Sequence, residues 1–143
     1  MSTVLVYSDD PSVRERVRLA VGRRPDPDLG PLSYLEAADG ATAVAAVDRG
    51  GVDLCVLDGE AWPTGGLGIS RQLKNEVADP PAVIVLLARP DDRWLGRWSL
   101  AEAVHYHPVD PGELTADVVR LLKERAARPP VPAGRGAFGL RRR

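Results

Sequence analysis

Five short apolar runs, most of them rich in β-branched residues, punctuate the chain: TVLVY (3 to 7), YLEA (34 to 37), DLCVL (53 to 57), AVIVLLA (82 to 88) and AVHY (103 to 106). Between them lie stretches in which apolar residues recur at helical spacing. Strands separated by helices cannot be joined as hairpins, because each connection must cross over the sheet. The pattern therefore predicts a parallel sheet of five strands covered by helices on both faces, an α/β fold.

The helix boundaries are legible in the capping residues. Pro11 follows Asp10 as a first helical residue follows its N-cap, and Val13, Val17, Ala20 and Val21 continue at helical spacing. Asp39 caps ATAVAAVDR, which Gly50 and Gly51 end. A third helix is expected over 67 to 74 and a fourth over 92 to 101. In the last, Asp110 is the cap, Pro111 takes the first turn, and Leu114, Val118, Leu121 and Leu122 form one apolar face. GGLG (65 to 68) reads as a turn entering a helix and lacks the length and the Lys of a phosphate-binding loop.

A chain of 143 residues suits one domain, expected over 1 to 126. No signal-like segment or membrane-length apolar run is present, so a cytoplasmic location is expected. Cys55, the single cysteine, lies within LCVL and reads as a buried thiol. Of the 19 basic residues, six fall in 125 to 143, where no acid stands, which leaves 13 against 20 acids in the preceding chain. Residues 127 to 143 are dense in Pro, Gly and Arg and are expected to form a disordered basic tail.

In an open parallel sheet, chemistry gathers beyond the carboxyl ends of the strands, near the point where strand order reverses. Ser8, Asp9 and Asp10 follow the first strand, and Asp58 follows the third. A doubly wound sheet would bring these together across some fifty residues of sequence.

On these residues VLVYSDDPSVR resembles the opening of a response-regulator receiver domain, and VDLCVLDGEAWPTGGLGISRQLK resembles its phosphoacceptor segment. The resemblance covers roughly residues 3 to 124. It implies a flavodoxin-like doubly wound sheet of order 2-1-3-4-5, with Asp58 as phosphoacceptor. It also implies a Mg²⁺ site formed by Asp9, Asp58 and the main-chain carbonyl of Glu60, Asp10 being a further candidate whose helix-capping role is favoured. A carboxylate is a weak nucleophile toward phosphorus, so such a site needs a cation that neutralises both it and the phosphoryl oxygens.

Four positions depart from the family pattern. Ser8 stands where the first acid of the opening belongs. Leu87 stands where a Thr or Ser bonds the phosphoryl group, Val104 where an aromatic follows it, and His107 where a Lys pairs with it. Leu offers no donor, and His is shorter than Lys and a conditional cation. Weak Mg²⁺ binding and a degenerate phosphorylation switch are expected.

The leading expectation is an atypical single-domain response regulator that acts by protein–protein interaction, with a sensor kinase or an effector as partner. A homodimer through the helix 4–strand 5–helix 5 face is a further expectation. Beyond autophosphorylation or autodephosphorylation at Asp58, no enzymatic activity is expected. Three alternatives stand beside it. The first is a working phosphoacceptor using Asp58 and Mg²⁺. The second, a haloacid-dehalogenase-type hydrolase, would want an Asp where Glu60 stands. The third, nucleic-acid binding through the Arg-rich tail, is disfavoured by the acidic body and the lack of an aromatic platform.

Trp94 and Trp98, four apart on the fourth helix, are read first as core packing and second as partner-binding anchors. Trp62 is expected to cover the acidic pocket. His105 and His107 are expected on opposite sides of the fifth strand, which argues against a metal pair.

Overall fold

The computed structural model describes residues 1–128. Its sheet has five parallel strands in the order β2-β1-β3-β4-β5: β1 (Ser2–Tyr7), β2 (Leu32–Ala37), β3 (Leu54–Asp58), β4 (Ala82–Leu87) and β5 (Ala103–Tyr106). The helices are α1 (Pro11–Val21), α2 (Gly40–Asp48), α3 (Gly66–Glu76), α4 (Trp94–Ser99) and α5 (Pro111–Ala127). This is the expected doubly wound, flavodoxin-like topology. Every connection is a strand–helix–strand crossover, and the order reverses between β1 and β3.

Side-chain alternation along each strand feeds two cores. Leu5, Tyr7, Cys55 and Leu57 pack with Ile69 and Leu73 of α3 on one face. Val4, Val6, Leu54 and Val56 pack with Leu114, Val118 and Leu121 of α5 on the other. Both faces of the inner strands are covered, which is why these strands read as unbroken apolar runs.

The capping assignments agree with the structure at three helices. Asp10 accepts from Ser12 N–H, Asp39 from Thr42 N–H, and Asp110 from Glu113 N–H, each at the N-cap of its helix. α5 runs through Ala127, and Arg128 pairs with Asp79 at 2.8 Å; the remainder of the expected tail lies outside the described residues. The fourth helix is shorter than expected. A 3-10 turn at Pro90–Asp92 precedes it, and the backbone turns left-handed at Leu100 (φ 67°), which closes it after six residues. Gly96 in its middle weakens helical propensity further.

Candidate functional site

The register of the sheet gathers the loops. Tyr7 lies beside Leu57, Asp58 beside Leu86, and Leu87 beside Tyr106, so β1, β3, β4 and β5 end at one level. Ser8 and Asp58, fifty residues apart in sequence, are in direct contact there. Gly59 makes the turn after β3: its N–H donates to Leu86 O at 2.7 Å, and a β-carbon at this residue would stand 2.8 Å from the same oxygen. Only glycine fits so close an approach.

Asp58 is buried, at 4% exposure, and both of its oxygens are engaged. Ser8 Oγ donates to Oδ2 at 2.7 Å. The Glu60 N–H donates to Oδ1 at 2.9 Å, and His107 Nε2 lies 2.9 Å from the same atom. An ionised carboxylate only accepts, so the imidazole nitrogen facing it carries the hydrogen. Burial, the largest single influence, pushes the Asp58 carboxyl up. The hydrogen bonds from His107, Ser8 and the Glu60 amide, with the charge of His107, together outweigh it and hold the group below the ordinary carboxylate value.

The other acids have different duties. Asp9 is exposed, and its Oδ1 accepts the Trp62 N–H at 3.2 Å. Asp10 is occupied as the cap of α1, taking both the N–H and the hydroxyl of Ser12, and these bonds hold its carboxyl below the ordinary value. Glu60 contributes its amide to Asp58 and its carboxylate to Ala88 N–H at 3.3 Å.

The departing positions are filled rather than empty. Leu87 is fully buried at the end of β4, and its carbonyl accepts the His107 N–H at 2.9 Å. Val104 packs toward α4, where a β-carbon on Gly96 would collide with its Cγ2. The side-chain donors that face Asp58 are thus the chain's own Ser8 and His107, beside the Glu60 amide. Mg²⁺ demands several oxygen ligands with free lone pairs. The side-chain donors fit it poorly, because the Asp9 carboxylate is exposed and bonded to the Trp62 amide, and three donors already occupy the two oxygens of Asp58. Among the described residues no group of three or more His, Cys, Asp or Glu side chains is arranged to hold a metal.

Three expectations need correction. The Trp62 indole is 76% exposed and does not cover the site, which this residue reaches through its main-chain N–H. Trp94 and Trp98 are 66% and 45% exposed, so the core-packing reading fails: the short α4 turns its buried side, Gly96 and Ser99, inward. Residues two apart share a face of a strand, so strand alternation does not set His105 and His107 on opposite sides. What separates them is their partners. His105 meets Asp117 of α5 at 2.7 Å, whereas His107 lies beyond the end of β5 and meets Asp58. The Ser8 hydroxyl as a donor to Asp58 and the Trp62 amide on Asp9 were missed. A side-chain oxygen beside a strand-end acid was the one available signal for the first; none pointed to the second.

No protein-family model matches the chain. Uncharacterized response regulatory proteins from two strains of Mycobacterium tuberculosis are 54% identical to it over 120 residues, covering 84% of this chain and 90% of theirs. Among solved structures, a Francisella response regulator receiver domain superposes with a TM-score of 0.71 at 20% identity, over 87% of this chain and 98% of that one. A CheY-like receiver domain protein from Methanospirillum hungatei gives 0.70 at 16% identity, over 88% and 97%. The structural likenesses carry the fold and the sequence relatives carry the kinship: the chain belongs to the response-regulator receiver family of two-component signalling.

Proposed function

We propose that this protein is an atypical receiver, comprising residues 1 to 126, that signals by binding another protein, a sensor kinase or an effector, with a phosphorylation switch that is degenerate. The observation that carries the reading is the ring of donors around Asp58: Ser8, His107 and the Glu60 amide engage both carboxylate oxygens, while Leu87 and Val104 supply neither the hydroxyl nor the aromatic of a switch. A ligand shifts a two-state equilibrium only by its differential affinity for the two states, and the groups that would provide that difference are replaced. Mg²⁺ binding is weak for the same reason, because the ion must displace bonds already made.

A second reading, a working phosphoacceptor, is favoured by one feature: Asp58 is held in its ionised form, with His107 in the position of the phosphoryl-pairing cation. One experiment separates the two. The full chain is incubated with a small-molecule phosphodonor and Mg²⁺, with Asp58→Asn as control, and its intact mass is read. Backbone NMR shifts are recorded with and without beryllium fluoride. The atypical reading expects little or no phosphoryl adduct and no concerted shift over residues 87 to 107. Concerted movement of that whole segment would transfer the assignment to the second reading.

A further inference from the structure

The connection from β3 to α3, residues 59 to 65, is tied to its neighbours on both sides. On the β1 side the Trp62 N–H donates to Asp9 Oδ1 at 3.2 Å, and the Tyr7 hydroxyl donates to Thr64 O. On the β4 side the Glu60 carboxylate accepts the Ala88 N–H at 3.3 Å. The connection is also closed on itself, because a β-carbon at Gly65 would stand 3.0 Å from Gly59 O. A tie at Thr64 therefore also fixes Trp62, two residues away.

The two ties on the β1 side differ in strength. The bond to Asp9 is exposed and long, so water or a cation competes directly for that carboxylate. Tyr7 is 1% exposed, with its ring in the core beside Leu57 and Ile69. A donor so placed cannot exchange Thr64 for water, and leaving it unpaired carries the full cost of desolvation. Burial, and after it the charges of Asp9, Asp39 and Asp58, push the Tyr7 hydroxyl up, so it keeps its hydrogen and donates. Packing asks for no hydroxyl here: Leu5, two residues earlier on the same face of β1, fills the same core with an aliphatic chain.

We propose that Tyr7 is a positioning residue: through Thr64 it holds the β3–α3 connection down as a strap, which keeps the Trp62 amide on Asp9 and so withholds Asp9 from a cation. The poor fit to Mg²⁺ is then set in part by a tie that lies in the core, away from any atom that would touch the ion. A cation takes Asp9 only as the strap lifts, so whatever loosens the strap raises cation affinity. The inference rests on the degenerate-switch reading above and names what keeps that site closed to metal.

The test titrates the full chain with MgCl₂ and follows the backbone amide shifts of Asp9 and Trp62 by NMR. Tyr7→Phe keeps the ring and removes the tie. It should bind Mg²⁺ roughly two- to tenfold more tightly than the wild type, the worth of one buried hydrogen bond, although its thermal midpoint falls. A purely structural role would lower the midpoint and leave the affinity unchanged or weaker. Asp9→Asn retains an acceptor for the Trp62 N–H but not the charge, and should abolish binding both alone and combined with Tyr7→Phe. A second measurement needs no variant: hydrogen exchange at the Trp62 amide of the wild type should quicken as Mg²⁺ rises, because ion and amide compete for one carboxylate.

Equal or weaker affinity in Tyr7→Phe overturns the proposal. So does protection of the Trp62 amide that stays constant or grows at saturating Mg²⁺, which would mean that the ion binds with the strap in place. Tighter binding that survives Asp9→Asn overturns it too, because the ion would then sit elsewhere. The degenerate-switch reading fails on a different signal: concerted shifts over residues 87 to 107 in the wild type with beryllium fluoride would overturn that reading, while the Mg²⁺ affinities of wild type and Tyr7→Phe would still decide the strap.

Discussion

Asp58 has two oxygens and three donors around them, and the identity of those donors governs its chemistry. Ser8→Asp would replace a donor at 2.7 Å with a second carboxylate. Losing a buried hydrogen bond and gaining a like charge should lower stability by about 1–3 kcal/mol without metal. Millimolar Mg²⁺ should restore much of that loss in the variant and change the wild type little, as urea midpoints with and without MgCl₂ would show. The pH dependence has a definite sign. Asp58 is held below its ordinary value when folded, so its contribution is complete above the unfolded carboxylate pKa of about 3.9 and is lost as pH falls through the lower folded value. Between pH 5 and 2, on the order of the carboxylate range, the wild-type urea midpoint should fall more steeply than that of Asp58→Asn. Parallel curves would mean that the bonds at Asp58 do not contribute to stability.

Helix α4 is set by close approach to β5 rather than by its own propensity. It has six residues, one of them Gly96, and a β-carbon there would collide with Val104. Replacing glycine by alanine inside a helix ordinarily stabilises by about 1 kcal/mol. Here overpacking, which costs about 1–3 kcal/mol, opposes that gain and should win. Gly96→Ala should therefore lower the thermal midpoint, and Val104→Ala should make the second substitution harmless, so that the double-mutant cycle gives a coupling well outside error. Additive effects would show that α4 can shift away from β5 at little cost. The sequence revealed α5 well because a cap, a proline and a four-residue apolar face all agree; it misjudged α4 because its end depends on a left-handed Leu100, which no propensity anticipates.

At the scale of the molecule, the core residues among those described run from Val4 to Leu122. Deleting residues 129–143 should leave the thermal midpoint within about 5 °C, equivalent to roughly 1 kcal/mol in a domain of this size. A larger fall would mean that the basic segment docks on the acidic body. Cutting after residue 127 instead would also remove the Arg128–Asp79 pair, an exposed contact worth little, so the two truncations should melt alike. Among the described residues no helix is long and apolar enough to cross a membrane.

The sequence by itself determined the element order, the parallel sheet and the meeting of Ser8 and Asp58 beyond the strand ends. These follow from two periodicities and from the switch-point rule, which depend on local pattern and chain order alone. It also identified Ser8, Leu87, Val104 and His107 as departures, because side-chain chemistry is read directly from residue type. Only the tertiary structure decided what those departures do. That His107 and Ser8 close upon Asp58, that Trp62 offers an amide and not its ring, and that Trp94 and Trp98 face outward all depend on directions fixed across strands and loops distant in sequence. A hydrogen bond needs distances held within a few tenths of an ångström, and that positioning comes from the packing of the whole sheet, which no local pattern encodes.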